Sequence, residues 1–332
     1  MINMVRFNGS KFLLRSAFAL LFLSLACILI DPPTLPAQSD STGSSSAPAL
    51  TTRTELVVLP VSVTDRNGNF VSGLDSQSFR VYEKGRLQEI TSFQDSDTPV
   101  TAGLIVDHSR SMGPKLAEVA AAVSTLVQSS NPRDEMFVVD FNDDVSVELL
   151  NGMPFSNDAQ ELAKAVSAIR ARGRTALYDA VAQGLLHLRL GHWDKKSLII
   201  ISDGGDNASR QTFSQVLTLA QRSQVSIYSV GLADGDEESN PGVLRRLSKA
   251  TGGIAFFPTS LQDVANISRE IARDLREQYT LGFVPSETAA SDSFRPLIVR
   301  VSDPGRGKLQ VRTRPGYFKQ EGAPGGPTKH AS

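Results

Sequence analysis

From Thr101 to Gln278 the chain alternates short, continuous apolar runs with amphipathic stretches, and this alternation limits its fold more than any other feature. AGLIVD, EMFVVDF, SLIIISD and VSIYSVG are each bounded by turn or polar residues, which reads as buried strands. The segments that alternate with them carry helical patterning: Lys115 to Gln128, Asp158 to Arg170, Ala176 to Leu190, Phe213 to Arg222 and Leu261 to Glu277. Strand and helix in turn over about 180 residues predict an α/β domain, a doubly wound and mostly parallel sheet with helices on both faces.

The grammar differs on either side. LVVLPVSV is β-branched and partly alternating, and the following DRNGN holds an Asn-Gly pair suited to a tight turn. FRVYEKGRLQEITSF predicts two more short strands about Lys84 and Gly85. After Gln278, strand character returns in YTLGFVP, PLIVRVS and KLQVRT and ends at GYF. Neither β segment offers enough strands to be stable alone. The expectation is a small β-sandwich-like unit made by 51–97 and 279–318 around an α/β domain at 98–278, with a disordered tail at 319–332.

Residues 1–37 read as a secretory signal: Arg6, Lys11 and Arg15 precede an apolar run from Ser16 to Ile30, and the segment ends Leu35, Pro36, Ala37. Residues 38–50 have the composition of a flexible linker. The expected location is periplasmic or secreted. A retained membrane anchor through 16–30 is the alternative, although about 15 apolar residues fall short of the roughly 20 that a spanning helix needs. Lipidation of Cys27 ranks third, because Ser24 stands where an aliphatic residue is expected and Ile28 to Ile30 continue the apolar run.

Cys27 is the single cysteine, which excludes a disulfide framework, a thiol nucleophile and a cysteine-based zinc site from the folded part. A formal net charge of −1, with no cluster of Lys and Arg, gives no reason to expect a nucleic-acid partner.

The chemistry-bearing residues fall at the predicted sheet edge. AGLIV ends in Asp107, and DHSRSM puts Asp107, Ser109 and Ser111 on one tight loop before a helix. ARGRTALYDA supplies Thr175 just before a helix. IIISDGGDN puts Asp203 at a strand end, with Gly204 and Gly205 allowing a sharp exit. In a doubly wound sheet these loops lie at the carboxyl ends of the strands, where such folds bind ligands. Carboxylates and hydroxyls are donors for a hard cation: Mg²⁺, or alternatively Mn²⁺ or Ca²⁺.

DHSRS, GRTALYD and IIISDGGD, in this order and spacing, resemble the three metal-site motifs of the von Willebrand factor type A domain family, over roughly residues 98 to 278. The resemblance implies Ser109 and Ser111 as direct metal ligands and Thr175 as a direct or switching one. It implies that Asp107 and Asp203 act mainly through waters and that one coordination position stays open for a partner's carboxylate. Where relatives often have two glycines before the threonine, this chain has Gly173 and Arg174. Arg170, Arg172 and Arg174 are either a solvated loop or an aid to an acidic ligand. VVLPVSVTDRNGNFVSGL, FRVYEKGRLQEITSF and the closing strands resemble the exported, largely acidobacterial subfamily of such proteins.

Other signals carry less. Asp107, His108 and Ser109 are consecutive, so their side chains diverge and cannot form a hydrolase relay; His108 reads as a loop residue flanking the metal. His187 and His192 lack further ligands and read as packed or exposed. ADGDEESN near Asp234 lacks the glycine and terminal glutamate of a calcium loop. The expected function is therefore non-enzymatic: divalent-cation-dependent binding of a protein that presents Asp or Glu. A metal-stabilised envelope scaffold and a metal-dependent hydrolase are the alternatives, and a membrane enters only if the N-terminal segment is retained.

Overall fold

The computed structural model describes residues 56–95, 97–148, 152–232, 239–285 and 294–318. The expectations for the signal segment, the linker, the 319–332 tail and most of ADGDEESN lie outside the described residues.

Strand β1 (Val57–Thr64) buries Val57, Leu59, Val61 and Val63, which its two-residue period puts on one face. The turn expected at DRNGN forms, with Asp65 Oδ1 accepting the backbone N–H of Asn67 and Asn69 at 2.8 and 2.9 Å. Its return arm is only a bridge from Thr64 to Phe70. Strands β2 (Phe79–Glu83) and β3 (Arg86–Gln88) pair about Lys84 and Gly85, both at positive φ as a two-residue hairpin turn requires. A third strand, β4 (Ile90–Gln94), adds to the two expected here, separated from β3 by only Glu89, across which the chain changes sheets.

The α/β part runs β5 (Thr101–Asp107), α1 (Leu116–Ser129), β6 (Glu135–Phe141), β7 (Val145–Glu148), α2 (Ala159–Ser167), α3 (Leu177–His187), β8 (Lys196–Ser202) and α4 (Phe213–Arg222). It continues through β9 (Ser226–Gly231), α5 (Pro241–Thr251), β10 (Ala255–Phe256) and α6 (Val264–Glu277). The sheet order is β10-β9-β8-β5-β6-β7, parallel except for β7. Central β5 is buried at all seven positions, which explains its unbroken apolar run. One face is covered by α1, α2 and α6 through Val119, Val123, Leu162 and Ile271; the other by α3, α4 and α5 through Val181, Val216 and Leu244. The doubly wound expectation holds. Helix α5 adds to the expected helices, and Pro241 at its start and left-handed Gly252 (φ 83°) at its end are its boundary signals.

The chain then returns to β structure in β11 (Tyr279–Phe283), β12 (Phe294–Val301), β13 (Gln310–Arg312) and β14 (Gly316–Phe318). These pair with the opening strands in two antiparallel sheets, β13-β1-β11-β4 and β14-β12-β2-β3. Each sheet mixes strands from both ends of the chain. One core joins the sheets, with Phe79, Phe93 and Tyr279 at ring separations of 5.0 to 6.0 Å. The expected pairing of the two flanking segments is thus present. Asp274 of α6 bolts this unit to the α/β part: its Oδ1 accepts from Ser62 at 2.7 Å, its Oδ2 from Tyr228 at 2.6 Å, and Arg312 also engages it. The connections β4 to β5 and α6 to β11 both leave from the amino ends of the parallel strands, the end opposite Asp107.

Candidate metal centre

Asp107 closes β5 and is fully buried. Its Oδ1 accepts the Ser109 backbone N–H at 2.8 Å, and its Oδ2 accepts the hydroxyl of Ser202, the last residue of neighbouring β8, at 2.6 Å. The hydroxyls of Ser109 and Ser111 lie 3.2 Å apart, and Ser111 Oγ donates to Asp203 Oδ2 at 2.8 Å. Asp203 Oδ1 accepts the Gly205 N–H at 2.9 Å, while Gly204 takes a φ of +85°, the sharp exit expected from the glycine pair. Ser111 sits inside a 3₁₀ turn, Arg110–Lys115, rather than in an open loop. Gly113 and Pro114 delay the start of α1 and hold the serine at the edge.

Thr175 arrives by its backbone. Its N–H donates to Asn207 Oδ1 at 2.9 Å, and its carbonyl accepts from the N–H of Asn207 and Ala208 at 2.9 and 3.0 Å. Arg172 N–H donates to His108 O at 2.9 Å, and Ala176 N–H to Asn142 O at 2.8 Å. The segment carrying Thr175 is therefore laced to both of the other loops. Among the described residues, its hydroxyl is not part of the hydrogen-bonded chain that links the other four. Ser202, Asn207 and Asp143 were not singled out in the sequence, although Ser202 directly precedes Asp203. Asp143 explains the Gly173-Arg174 departure: Gly173 lies at φ +71°, and a Cβ there would fall 1.7 Å from the Asp143 carboxylate. Arg174 Nε binds that carboxylate at 2.9 Å. Arg170, Arg172 and Arg174 are all exposed.

Burial, with the nearby Asp203 charge adding to it, pushes the Asp107 carboxyl up to about 6 against the hydrogen bonds from Ser109 and Ser202. Among the described residues the two carboxylates are met by hydroxyls and backbone N–H groups, not by Lys or Arg. His108 is a fully buried strut: Nε2 meets Val166 O at 2.8 Å and Nδ1 meets the Asp140 carboxylate. Burial opposes its protonation, and Asp140 outweighs burial, so its pKa is raised. His187 packs on Phe137 at 4.3 Å, and His192 Nδ1 pairs with Glu135 at 2.7 Å.

No group of three or more His, Cys, Asp or Glu is placed to hold a metal among the described residues. The donors at this edge are of another kind, two carboxylates and neighbouring hydroxyls, which suits a hard cation that keeps waters. In an octahedron with metal–oxygen distances near 2.1 Å, adjacent oxygens stand about 3.0 Å apart. The 3.2 Å between the Ser109 and Ser111 hydroxyls is close to that value, and Asp203 holds the Ser111 hydroxyl in place at 2.8 Å. The residues fit such an ion.

Two curated relatives are an uncharacterized Synechocystis protein, sll0103, 23% identical over 180 residues (53% of this chain, 42% of that one), and an uncharacterized Borreliella burgdorferi protein, 25% identical over 175 residues (51% and 50%). The chain thus spans half or less of the length of these relatives. Similar solved structures include a von Willebrand factor type A protein from Catenulispora acidiphila (13% identity, 80% of this chain and 75% of that one, TM-score 0.48). Another is the vWF domain of the type V pili tip protein Mfa5 from Porphyromonas gingivalis (12%, 53% and 95%, TM-score 0.45). A third is BatB from Bacteroides thetaiotaomicron (21%, 53% and 98%, TM-score 0.42). The profile of the von Willebrand factor type A domain matches residues 103–270, half of the chain, and the chain belongs to that family.

Proposed function

We propose that this chain is a divalent-cation-dependent protein-binding module of the bacterial envelope, with Asp107, Ser109, Ser111, Thr175 and Asp203 holding Mg²⁺, or Mn²⁺ or Ca²⁺ in its place. The observation that carries this reading is the continuous run of oxygen donors from Asp107 to Asp203 at the carboxyl edge of the parallel sheet. Ser109 and Ser111 offer their hydroxyls directly, Thr175 offers its own from the adjoining segment, and Asp107 and Asp203 orient them and supply negative charge. The bound ion would supply a Lewis-acidic position for an Asp or Glu carboxylate of a protein partner.

Family membership supports a binding role. The scaffold alternative is weakened by the lacing of the three loops, which backbone hydrogen bonds already join. For the hydrolase alternative, the imidazole beside the site is committed on both nitrogens, to Val166 and to Asp140. Export rests on the sequence of residues 1–37. Among the described residues no helix is long and apolar enough to cross a membrane. The resemblance of the flanking strands to the exported acidobacterial subfamily supports the same location.

Titration calorimetry with Mg²⁺ and Mn²⁺ on the wild type and on Asp203→Ala tests the centre. One saturable site is expected in the former and none in the latter; equal binding by both would sink the proposal. For the binding role, a partner captured from envelope extract should be released by chelator and not retained by Asp107→Ala. A partner that holds in excess chelator contradicts it.

A further inference from the structure

The arginines around the metal edge are not alike. Arg110 stands between Ser109 and Ser111 at the start of the 3₁₀ turn, and Arg170, Arg172 and Arg174 lie on the segment that leads to Thr175. The backbone draws these two stretches together. His108 Nε2 meets Val166 O at 2.8 Å, Arg172 N–H donates to His108 O at 2.9 Å, and Arg110 N–H donates to Gly173 O at 3.4 Å. Ala171 packs against the turn at Gly113, where an added Cβ would fall 3.4 Å from its methyl group. All four arginines are exposed, so the fold gathers their charges on one patch beside Ser109 and Ser111.

Their partners differ. Arg174 Nε binds Asp143 Oδ1 at 2.9 Å and its N–H donates to Asp143 Oδ2 at 3.2 Å, so its charge is answered inside the fold. Hydrogen bonds from Arg174 hold the Asp143 carboxyl below its usual range, and Arg172 adds a weaker pull on the same group. The side chains of Arg110 and Arg170 have no partner among the described residues. Neither stretch, 108–115 or 166–175, contains an acidic residue. Asp107 and Asp203 do not answer these cations either, because a divalent ion in the centre would take up both of their charges.

A partner carboxylate that completes the ion would therefore arrive at a rim of excess positive charge. Guanidinium groups pair with carboxylates through parallel hydrogen bonds, and cations on a rim act chiefly on association rate and on the choice of partner. We propose that the partner's metal-binding Asp or Glu lies in an acidic segment, and that Arg110 and Arg170, with Arg172 beside them, bind further Asp or Glu side chains that flank it. The inference rests on the metal-dependent binding proposed above and adds to it the class of sequence recognised. An isolated carboxylate would satisfy the ion and leave the arginines unanswered.

Fluorescence anisotropy on the full chain in saturating Mg²⁺ should compare a labelled oligoglutamate peptide with a single-glutamate peptide of equal length in a Gly-Ser background. The oligoglutamate should bind at least about tenfold more tightly. That advantage should shrink as salt rises, since exposed charges are screened over about 10 Å at about 0.1 M. Arg110→Gln with Arg170→Gln should lose most of the advantage, while calorimetric Mg²⁺ affinity stays within about twofold of wild type. Arg170→Gln with Arg172→Gln, which leaves the serine turn untouched, should lose part of it. Equal affinity for the two peptides, binding of neither by a chain that binds Mg²⁺, or an advantage that survives both double substitutions would each overturn this inference and leave the metal centre in place. No calorimetric Mg²⁺ binding, or oligoglutamate binding undiminished by chelator, would instead overturn the metal-dependent reading on which it stands.

Discussion

Asp274 and Asp203 are both buried carboxylates that accept hydroxyl hydrogen bonds, yet their surroundings differ in sign. Around Asp274 stand Ser62, Tyr228 and the Arg312 guanidinium, with Gln278 donating onward to Tyr228 OH at 2.8 Å. Negative charge meets positive charge, and the cluster is balanced within itself. Asp203 and Asp107 share an edge whose described contacts are hydroxyls and backbone N–H groups. A fold that balances one buried carboxylate and leaves two others with only neutral donors has built one joint and, in the function proposed above, one receptor for a cation. The first holds the β unit to the α/β part, and the second offers charge that a ligand can complete.

The largest effect should come from breaking the balanced cluster. Asp274→Ala strips the ion-pair partner from Arg312 and a hydrogen-bond acceptor from Tyr228, and should cost about 3 to 5 kcal/mol in urea unfolding. A loss under about 1 kcal/mol would mean that the cluster is not the joint described here. Next comes the edge. At a Mg²⁺ concentration about 100 times the dissociation constant, the wild type should gain about 2.7 kcal/mol, and Asp203→Ala should gain nothing. Without metal, Asp203→Ala should cost far less than Asp274→Ala, because it removes like-charge repulsion from Asp107 along with its hydrogen bonds. If both substitutions cost the same in chelator, the two clusters are not different in kind.

A smaller effect, about 2 kcal/mol, is expected for Gly173→Ala. Its φ of +71° and the Asp143 carboxylate in the path of a Cβ both oppose a side chain. The loss should appear as weakened metal affinity as well as lower stability, since Gly173 immediately precedes the Arg174-Thr175 segment that the edge depends on. A stable variant with wild-type Mg²⁺ affinity would show that Thr175 is placed without this turn.

Much of this was legible in the sequence, for reasons that particular residues make plain. The strands ending at Asp107 and Ser202 are buried on both faces, so each is an unbroken apolar run whose end announces the sheet edge. Helix α4 spans Phe213 to Arg222 as its helical patterning predicts, and the structure shows Thr212 and Gln215 forming a capping box at its start. What stayed hidden depends on long-range pairing. β7 is a four-residue antiparallel edge strand and β10 has two residues, too short for any periodicity to show. The Asp274 cluster joins residues up to 250 positions apart, as in the contact of Ser62 with Arg312, and no local pattern marks those five side chains as neighbours. His108 reads as a loop residue because only the fold brings Asp140 and Val166 to its two nitrogens.

The balanced cluster also carries the smallest expected effect, which concerns pH. Lys195 is buried beside Asp274 and Asp134, and burial lowers its ammonium to about 8 despite their attraction. Between that value and the usual lysine range near 10.5, the unfolded chain holds a proton that the folded chain has released. Stability therefore rises with pH across this window, by about 1.5 kcal/mol from pH 8 to 9.5. Asp134 acts in a lower window: burial raises its carboxyl to about 6, so the stability it contributes is present at about pH 4 and is lost as pH climbs through 6. Urea midpoints measured every half unit from pH 5 to 9.5 should then show a fall followed by a rise. Lys195→Met should abolish the rise and leave the fall. A wild-type profile flat above pH 8 would mean that Asp274 and Asp134 hold the Lys195 ammonium charged in the interior, and that the joint is balanced by two cations rather than by Arg312 alone.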